Sequence, residues 1–196
     1  MTSESASTSD EVLAISVDKK RPRKRWIAEW AVILISALII AVLVRSYVIQ
    51  TFYIPSGSME PTLQIGDRII VSKLSLTLGS VNRGDIIVFH SPPTEACAGD
   101  TPSDLVKRVV GLPGETISST GETIYINGKK LSEPWTHTSP LGPAISSTLI
   151  PTGSYFMMGD NNSNSCDSRY WGTLPRHYMV GKVLLRIWPP SRIGQP

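Results

Sequence analysis

The sequence predicts a mainly β protein: an antiparallel, β-barrel-like domain with a small β insertion, preceded by one N-terminal transmembrane helix. Two patterns predict it. Short runs rich in Val and Ile at 67–71, 85–90, 105–112 and 180–188 are bounded by Gly or Pro, the punctuation of all-β domains. Ahead of them one long apolar run, 30–44, follows a cluster of basic residues, which is the layout of a membrane anchor.

Residues 1–18 are rich in Ser and Thr, with Glu4, Asp10, Glu11 and Asp18 among them. Such a segment buries too little apolar surface to offset the entropy of ordering, so a disordered tail is expected over 1–25. Lys19, Lys20, Arg21, Arg23, Lys24 and Arg25 close that tail as a basic cluster. The whole chain of 196 residues holds 19 Lys+Arg against 16 Asp+Glu, so the cluster takes a large share of the basic residues. No general basic surface for nucleic acid is implied. The positive-inside rule places the tail in the cytoplasm and everything after the apolar run outside the cell membrane.

The apolar run is about 15 residues long, short of the roughly 20 that a bilayer span needs. Trp26 and Ile27 extend it on one side, and Tyr47, Val48 and Ile49 on the other, so the anchor is expected over 26–50. Arg45 then reaches to the outer headgroups along its apolar stem. No small-x-small pair occurs in 45–50, so the segment is read as a retained anchor and not as a cleaved leader. Residues 51–196 form the extracytoplasmic domain.

That domain opens with Ile-Pro-Ser-Gly-Ser-Met-Glu-Pro-Thr-Leu at 54–63. Pro55 and Pro61 stiffen the backbone and Gly57 lets it bend, so Ser56 and Ser58 are presented on a rigid loop. Ser58 is a candidate nucleophile, with a plain polar turn as the alternative. A serine hydroxyl needs a neighbouring base. His90, His137 and His177 are scattered singly, which leaves a histidine base open but unsupported by any motif. In 105–112, side chains two apart share a face, so Lys107 lies with Leu105 and Val109, and Arg108 with Val106 and Val110. Turned inward, Lys107 is desolvated, its charged form is disfavoured, and the neutral amine can act as a base. Turned outward, it is an ordinary solvated lysine.

Residues 123–127, the pair Asn127-Gly128, and 129–131 predict a hairpin with a type I′ turn. The insertion, about 121–150, is then broken by Pro134, Pro140 and Pro143. A strand at 154–158 feeds a polar loop at 159–169, and 180–188 closes the domain.

Four stretches carry a resemblance. They are Pro55-Ser56-Gly57-Ser58-Met59, Gly66-Asp67-Arg68-Ile69-Ile70-Val71, Lys107-Arg108-Val109-Val110-Gly111-Leu112-Pro113-Gly114-Glu115, and Gly159 through Arg169 with Asp160, Ser165 and Asp167. In this order they resemble the motifs of the type I signal peptidases, membrane-bound serine proteases that remove signal peptides from exported proteins. The resemblance implies Ser58 as nucleophile and an uncharged Lys107 as general base. It also implies the Ser56 hydroxyl as an oxyanion donor beside the Ser58 N–H, and Ser165 as the group that orients the lysine amine. Asp160, Asp167 and Arg169 are implied to hold the last loop, with Arg169 paired to an aspartate. Phe52, Ile54, Ile69 and Val106 are implied to shape shallow pockets for small side chains.

Signal-peptide-bearing preproteins and membrane lipid are the partners expected from the resemblance, with no cofactor, no metal and no nucleic acid. The location it implies is the plasma membrane, crossed once. Asn162-Ser163 departs from the Arg-containing form common at that place in bacterial members. The short insertion and single anchor are similar to Gram-positive or actinobacterial members more than to the two-span Gram-negative form.

Cys97 and Cys166 are the chain's two cysteines, so one bridge is the only intramolecular pairing. It would tie the loop ahead of Lys107 to the loop holding Ser165; two free thiols are the alternative. No Cys or His spacing suits zinc. Two other functions fit the same residues: a self-cleaving relative with the same dyad, which the anchor argues against, and a tethered β domain that binds without cleaving.

Overall fold

Helix α1 (Arg23–Tyr47) has 25 residues, and its described side chains are mostly exposed apolar groups, among them Trp30, Ile33, Leu34, Leu38 and Ile40. The structure, a computed structural model, describes residues 23–93, 103–132, 135 and 140–196. Of the tail expected over 1–25, residues 1–22 lie outside the described residues, as do Cys97 and His137, while Arg23 begins the helix. The middle of α1 is apolar all round; its one hydroxyl, on Ser36, turns back to donate to the Ile33 carbonyl at 2.9 Å. Described side chains on α1 end at Val42, and among the described residues no helix is long and apolar enough to cross a membrane. The helix ends at Tyr47, and Ile49 already begins a strand.

The chain divides into two units at Ala41 and Val42, and the second holds every strand. The larger sheet contains β1 (Ile49–Tyr53), β2 (Arg68–Ser72), β3 (Ile86–His90), β4 (Asp104–Gly111), β9 (Ser154–Met158), β10 (Leu174–Pro175) and β11 (Met179–Trp188). Their order is β1-β2-β11-β3-β4-β9-β10, antiparallel throughout. The smaller sheet has β5 (Thr116–Thr120), β6 (Thr123–Ile126), β7 (Lys129–Lys130) and β8 (Thr148–Leu149) in the order β7-β6-β5-β8. A mainly β, antiparallel fold is therefore present. The barrel is corrected: closure requires the edge strands to pair, and β1 and β10 stand at opposite edges of an open sheet.

The centre of the larger sheet positions the site. All of β9 and nearly all of β3 are buried, as expected of strands covered on both faces, and β4 runs between them. Val109 and Met157 pack with Ile87 and Phe89 in one apolar cluster, while Ile54, Met59, Leu63, Ile69 and Val88 form another. Dozens of close apolar contacts per side chain fix β4 in place, so a residue it carries is held rigidly. The predicted hairpin forms between β6 and β7, with Asn127 and Gly128 at φ 50° and 75°, the positive values a type I′ turn requires. The connector after β2 forms a short helix, α2 (Leu74–Leu78).

Candidate active site

The serine loop is held at both ends by the ladder of β1 and β2. Ile54 N–H donates to the Asp67 carbonyl and Gly66 N–H to the Ile54 carbonyl, each at 2.9 Å. Within the loop, Leu63 N–H donates to Met59 O at 2.9 Å, making one helical turn whose apolar side, Met59 and Leu63, is buried. The polar side is held by charge. Buried Asp67 accepts from Gln64 N–H at 2.8 Å and from Arg192 Nη1 at 3.0 Å, and Arg186 Nη1 donates to the Thr62 carbonyl at 2.7 Å. Burial pushes the Arg186 pKa down, the Arg192 charge pushes it the same way, and Asp67 opposes both. Pro55, Gly57 and Pro61 therefore act within a loop that the sheet and two arginines already restrain.

Lys107 enters from the middle of β4 and is 3% exposed. Its Nζ is hydrogen-bonded to Ser58 Oγ at 2.5 Å. Leu105 and Val109, its neighbours on the same face of the strand, pack into the cluster of Ile87 and Phe89. A groove of about 210 Å3 opens over the pair, lined by Ser56, Ser58 and Lys107 with Phe52, Ile54 and Val106 on its walls. Ser56 is exposed in this groove. Ile69 is not on the wall: it faces Phe52 across the strand pair, is fully buried, and packs in the core behind the groove.

The loop after β9 meets the serine loop through its backbone. Asn161 N–H donates to the Ser58 carbonyl at 3.1 Å, and Asn161 Nδ2 to the Gly57 carbonyl at 3.0 Å. Gly159 makes this approach feasible. A Cβ on it would lie 2.3 Å from both Ser165 Oγ and the Ser58 carbonyl oxygen. Asp167 caps the four-residue helix α3 (Ser168–Trp171) and is gripped by Arg169 through Nε at 2.8 Å and Nη2 at 2.7 Å, both side chains fully buried. It also accepts from Gly159 N–H at 3.0 Å, so the Arg169 pair fixes the backbone beside Ser58.

Asp160 pairs elsewhere. Arg108, on the opposite face of β4 from Lys107, reaches its two oxygens at 2.8 and 2.6 Å, and Thr62 donates to the same carboxylate at 2.5 Å. The guanidinium also lies over the Trp135 ring, 5.3 Å from its centre. This buried, bidentate pair joins β4, the serine loop and the last loop. Its arginine is absent from the sequence-based set of site residues. The signal that could have found it is a charged residue inside the apolar run 105–110.

The hydrogen bond from Ser165 to Lys107 that the resemblance implies is not formed. Ser165 Oγ is buried and has no hydrogen-bond partner. Cys166 beside it is disulfide-bonded, while its expected partner Cys97 lies outside the described residues. Among the described residues no group of His, Cys, Asp or Glu is arranged to hold a metal ion. Chemically the groove offers a hydroxyl with an amine in contact and a second hydroxyl nearby, a set suited to nucleophilic attack on a carbonyl with proton transfer to nitrogen.

Comparison with known proteins agrees in kind. Residues 27–188 match the model of the family described as "Signal peptidase, peptidase S26". "Signal peptidase I" of Leptolyngbya laminosa is 42% identical over 165 residues, covering 81% of this chain and 78% of its own. "Probable signal peptidase I-2" of a Synechocystis strain is 38% identical over 191 residues, covering 95% and 85%. A crystal structure of a signal peptidase I from Enterococcus faecalis matches at 33% identity and a TM-score of 0.43, covering 54% of this chain and 97% of its own.

Proposed function

We propose, for a chain that belongs to the signal peptidase family, peptidase S26, and is therefore a hydrolase of the signal peptidase I class, that Ser58 and Lys107 cut preproteins behind small-x-small sites at a membrane. The observation that carries the dyad is the 2.5 Å contact between Lys107 Nζ and Ser58 Oγ, with the lysine buried. Burial disfavours the ammonium, so the amine offers a lone pair to the hydroxyl proton. Ser58 Oγ adds to the scissile carbonyl as Lys107 takes that proton. The oxyanion is met by the Ser58 N–H and the Ser56 hydroxyl. Collapse breaks the C–N bond, and Lys107 passes its proton to the leaving amine. Water, deprotonated by the same lysine, then splits the acyl ester, and the proton passes from Lys107 to Ser58 Oγ as the C–O bond breaks, restoring the hydroxyl and the neutral amine.

The pocket walls at Phe52, Ile54 and Val106 support the preference for small side chains, since bulky walls leave only a shallow space. In this reading Ser165 turns to the lysine amine when substrate closes the groove. Asp160, Asp167 and Arg169 hold geometry and do no chemistry. Cys166 is bridged to Cys97, the other cysteine of the sequence.

Membrane attachment is supported by the exposed apolar side chains of α1. Together with 43–47, added by sequence alone, they make a run long enough to span once, and the basic cluster before it keeps the N-terminus in the cytoplasm. The active site then meets preproteins in the membrane plane. The test is cleavage of a preprotein in lipid vesicles by the full chain, with the new N-terminus sequenced. A single cut after a small-x-small pair, with the enzyme sedimenting with the vesicles, is expected. Absence of any cut, or a cut elsewhere, sinks the reading.

A further inference from the structure

Asn161 holds both of the peptide planes that meet at Ser58. Its backbone N–H donates to the Ser58 carbonyl at 3.1 Å, which fixes the plane between residues 58 and 59. Its side-chain Nδ2 donates to the Gly57 carbonyl at 3.0 Å, which fixes the plane between residues 57 and 58. The Gly57 carbonyl and the Ser58 N–H belong to that one planar trans unit, so they point in opposite directions and turn together. Among the described residues no protein oxygen accepts from the Ser58 N–H, which leaves it for a ligand. Gly57 has no Cβ to resist rotation of the plane, so the bonds to its carbonyl set the direction. Besides Asn161 Nδ2, the Glu60 N–H reaches that carbonyl at 3.1 Å from within the turn. Ser163 Oγ donates to Asn161 Oδ1 at 3.2 Å and aims the amide.

We infer that Asn161 is a positioning residue for the oxyanion site: its side chain, acting through the Gly57 carbonyl, aims the Ser58 N–H at the charge that develops on the scissile carbonyl oxygen. The inference rests on the reading of Ser58 and Lys107 as the cutting pair. When Ser58 Oγ adds to the carbonyl carbon, its proton passes to Lys107 Nζ and the carbonyl electron pair moves onto oxygen. A donor already aimed at that oxygen costs no reorganisation during the reaction. Without the Asn161 amide the plane is held from within the turn only and swings away for part of the time. The ground-state carbonyl carries little charge and is barely affected, so the contribution falls on kcat more than on KM.

The test compares two peptides ending at the same Ala-x-Ala, one as the aldehyde and one as the corresponding alcohol, on the full chain in detergent micelles. Ser58 adds to the aldehyde and forms an oxyanion, whereas the alcohol fills the same groove without one. Asn161→Ala keeps the backbone bond to Ser58 and removes only the side-chain donor. Asn161→Asp keeps the shape and presents a carboxylate that accepts instead of donating. Losing one neutral hydrogen bond, with the Glu60 bond retained, predicts a fall of about tenfold in kcat with KM little changed. Aldehyde affinity falls by the same factor, and alcohol affinity stays within about twofold of wild type. Asn161→Asp is expected to be slower than Asn161→Ala, because its carboxylate faces the Gly57 carbonyl oxygen; a residue needed only for its shape gives the opposite order. Asn161→Ser, too short to reach that carbonyl, replaces the Ala variant if the latter does not fold. Equal losses for aldehyde and alcohol, an unchanged kcat, or an Asp variant faster than the Ala one overturns the inference. If the wild type cuts nothing and holds the aldehyde no tighter than the alcohol, the reading of Ser58 and Lys107 itself fails and takes this one with it.

Discussion

Nζ of Lys107 and Oγ of Ser58 meet at 2.5 Å although 49 residues separate them in the chain. The contact follows from two independent restraints: β4 held at the centre of the larger sheet, and the serine loop fastened to β2, Arg186 and Arg192.

Ser56→Ala is expected to be slow and still active. A single oxyanion donor typically contributes a factor of about 100 to 1,000 in kcat, and the Ser58 N–H remains in the variant. Steady-state kinetics should show kcat falling by that factor with KM little changed, since the oxyanion exists only after attack. A rise in KM at constant kcat would instead make Ser56 a ground-state contact.

Arg108→Met is expected to unfold far more readily than the wild type. It leaves the Asp160 carboxylate, 1% exposed, without its bidentate partner. Breaking a buried pair by removing one member typically costs about 3–5 kcal/mol. Chemical denaturation in detergent measures it directly. Adding Asp160→Leu to the same chain should restore much of the loss, because the uncompensated charge goes with it.

Gly159→Ala is expected to lose activity by about 100-fold or more, the scale on which a displacement near 1 Å disturbs a reacting geometry. Its Cβ would meet the Ser58 carbonyl oxygen at 2.3 Å, and backbone cannot rotate away as a side chain can. Single-turnover cleavage, followed beside thermal unfolding, separates a displaced nucleophile from a general loss of fold. Unchanged activity would mean the two loops do not hold each other during the reaction.

Much of this was legible in the sequence. The Val and Ile runs bounded by Gly and Pro located β2, β3, β4 and β11, because those strands send side chains into the apolar clusters of the larger sheet. Asn127-Gly128 located the hairpin, because few residues accept positive φ twice. Strand β5, Thr-Ile-Ser-Ser-Thr, lies at a half-exposed position and shows little apolar signal. Sheet closure could not be read, since no local pattern says whether two edges as distant in the chain as β1 and β10 will pair. Alternation along β4 put Lys107 with Leu105 and Val109, but Arg108 finds Asp160 across 52 residues, and that pairing has no local signature. Ile69 packs in the core behind the groove, and no local pattern separates that place from the groove wall.

Ser165→Ala is expected to leave stability within about 1 kcal/mol of the wild type or slightly raise it, because the hydroxyl removed is buried without a partner. Its kcat should fall nonetheless if the hydroxyl turns to the Lys107 amine during reaction. Denaturation midpoints and kcat on the same preparations check both halves. A kcat equal to wild type would confine Ser165 to packing.

The central claim is that Ser58 and Lys107 act as one unit. The most direct measurement is a double-mutant cycle on preprotein cleavage with wild type, Ser58→Ala, Lys107→Met and the double variant, each folded and in the same lipid. Groups that act together are strongly non-additive, so the double variant should be no slower than either single one. If the two losses multiply, or if either single variant keeps substantial activity, the pair is not the catalytic dyad.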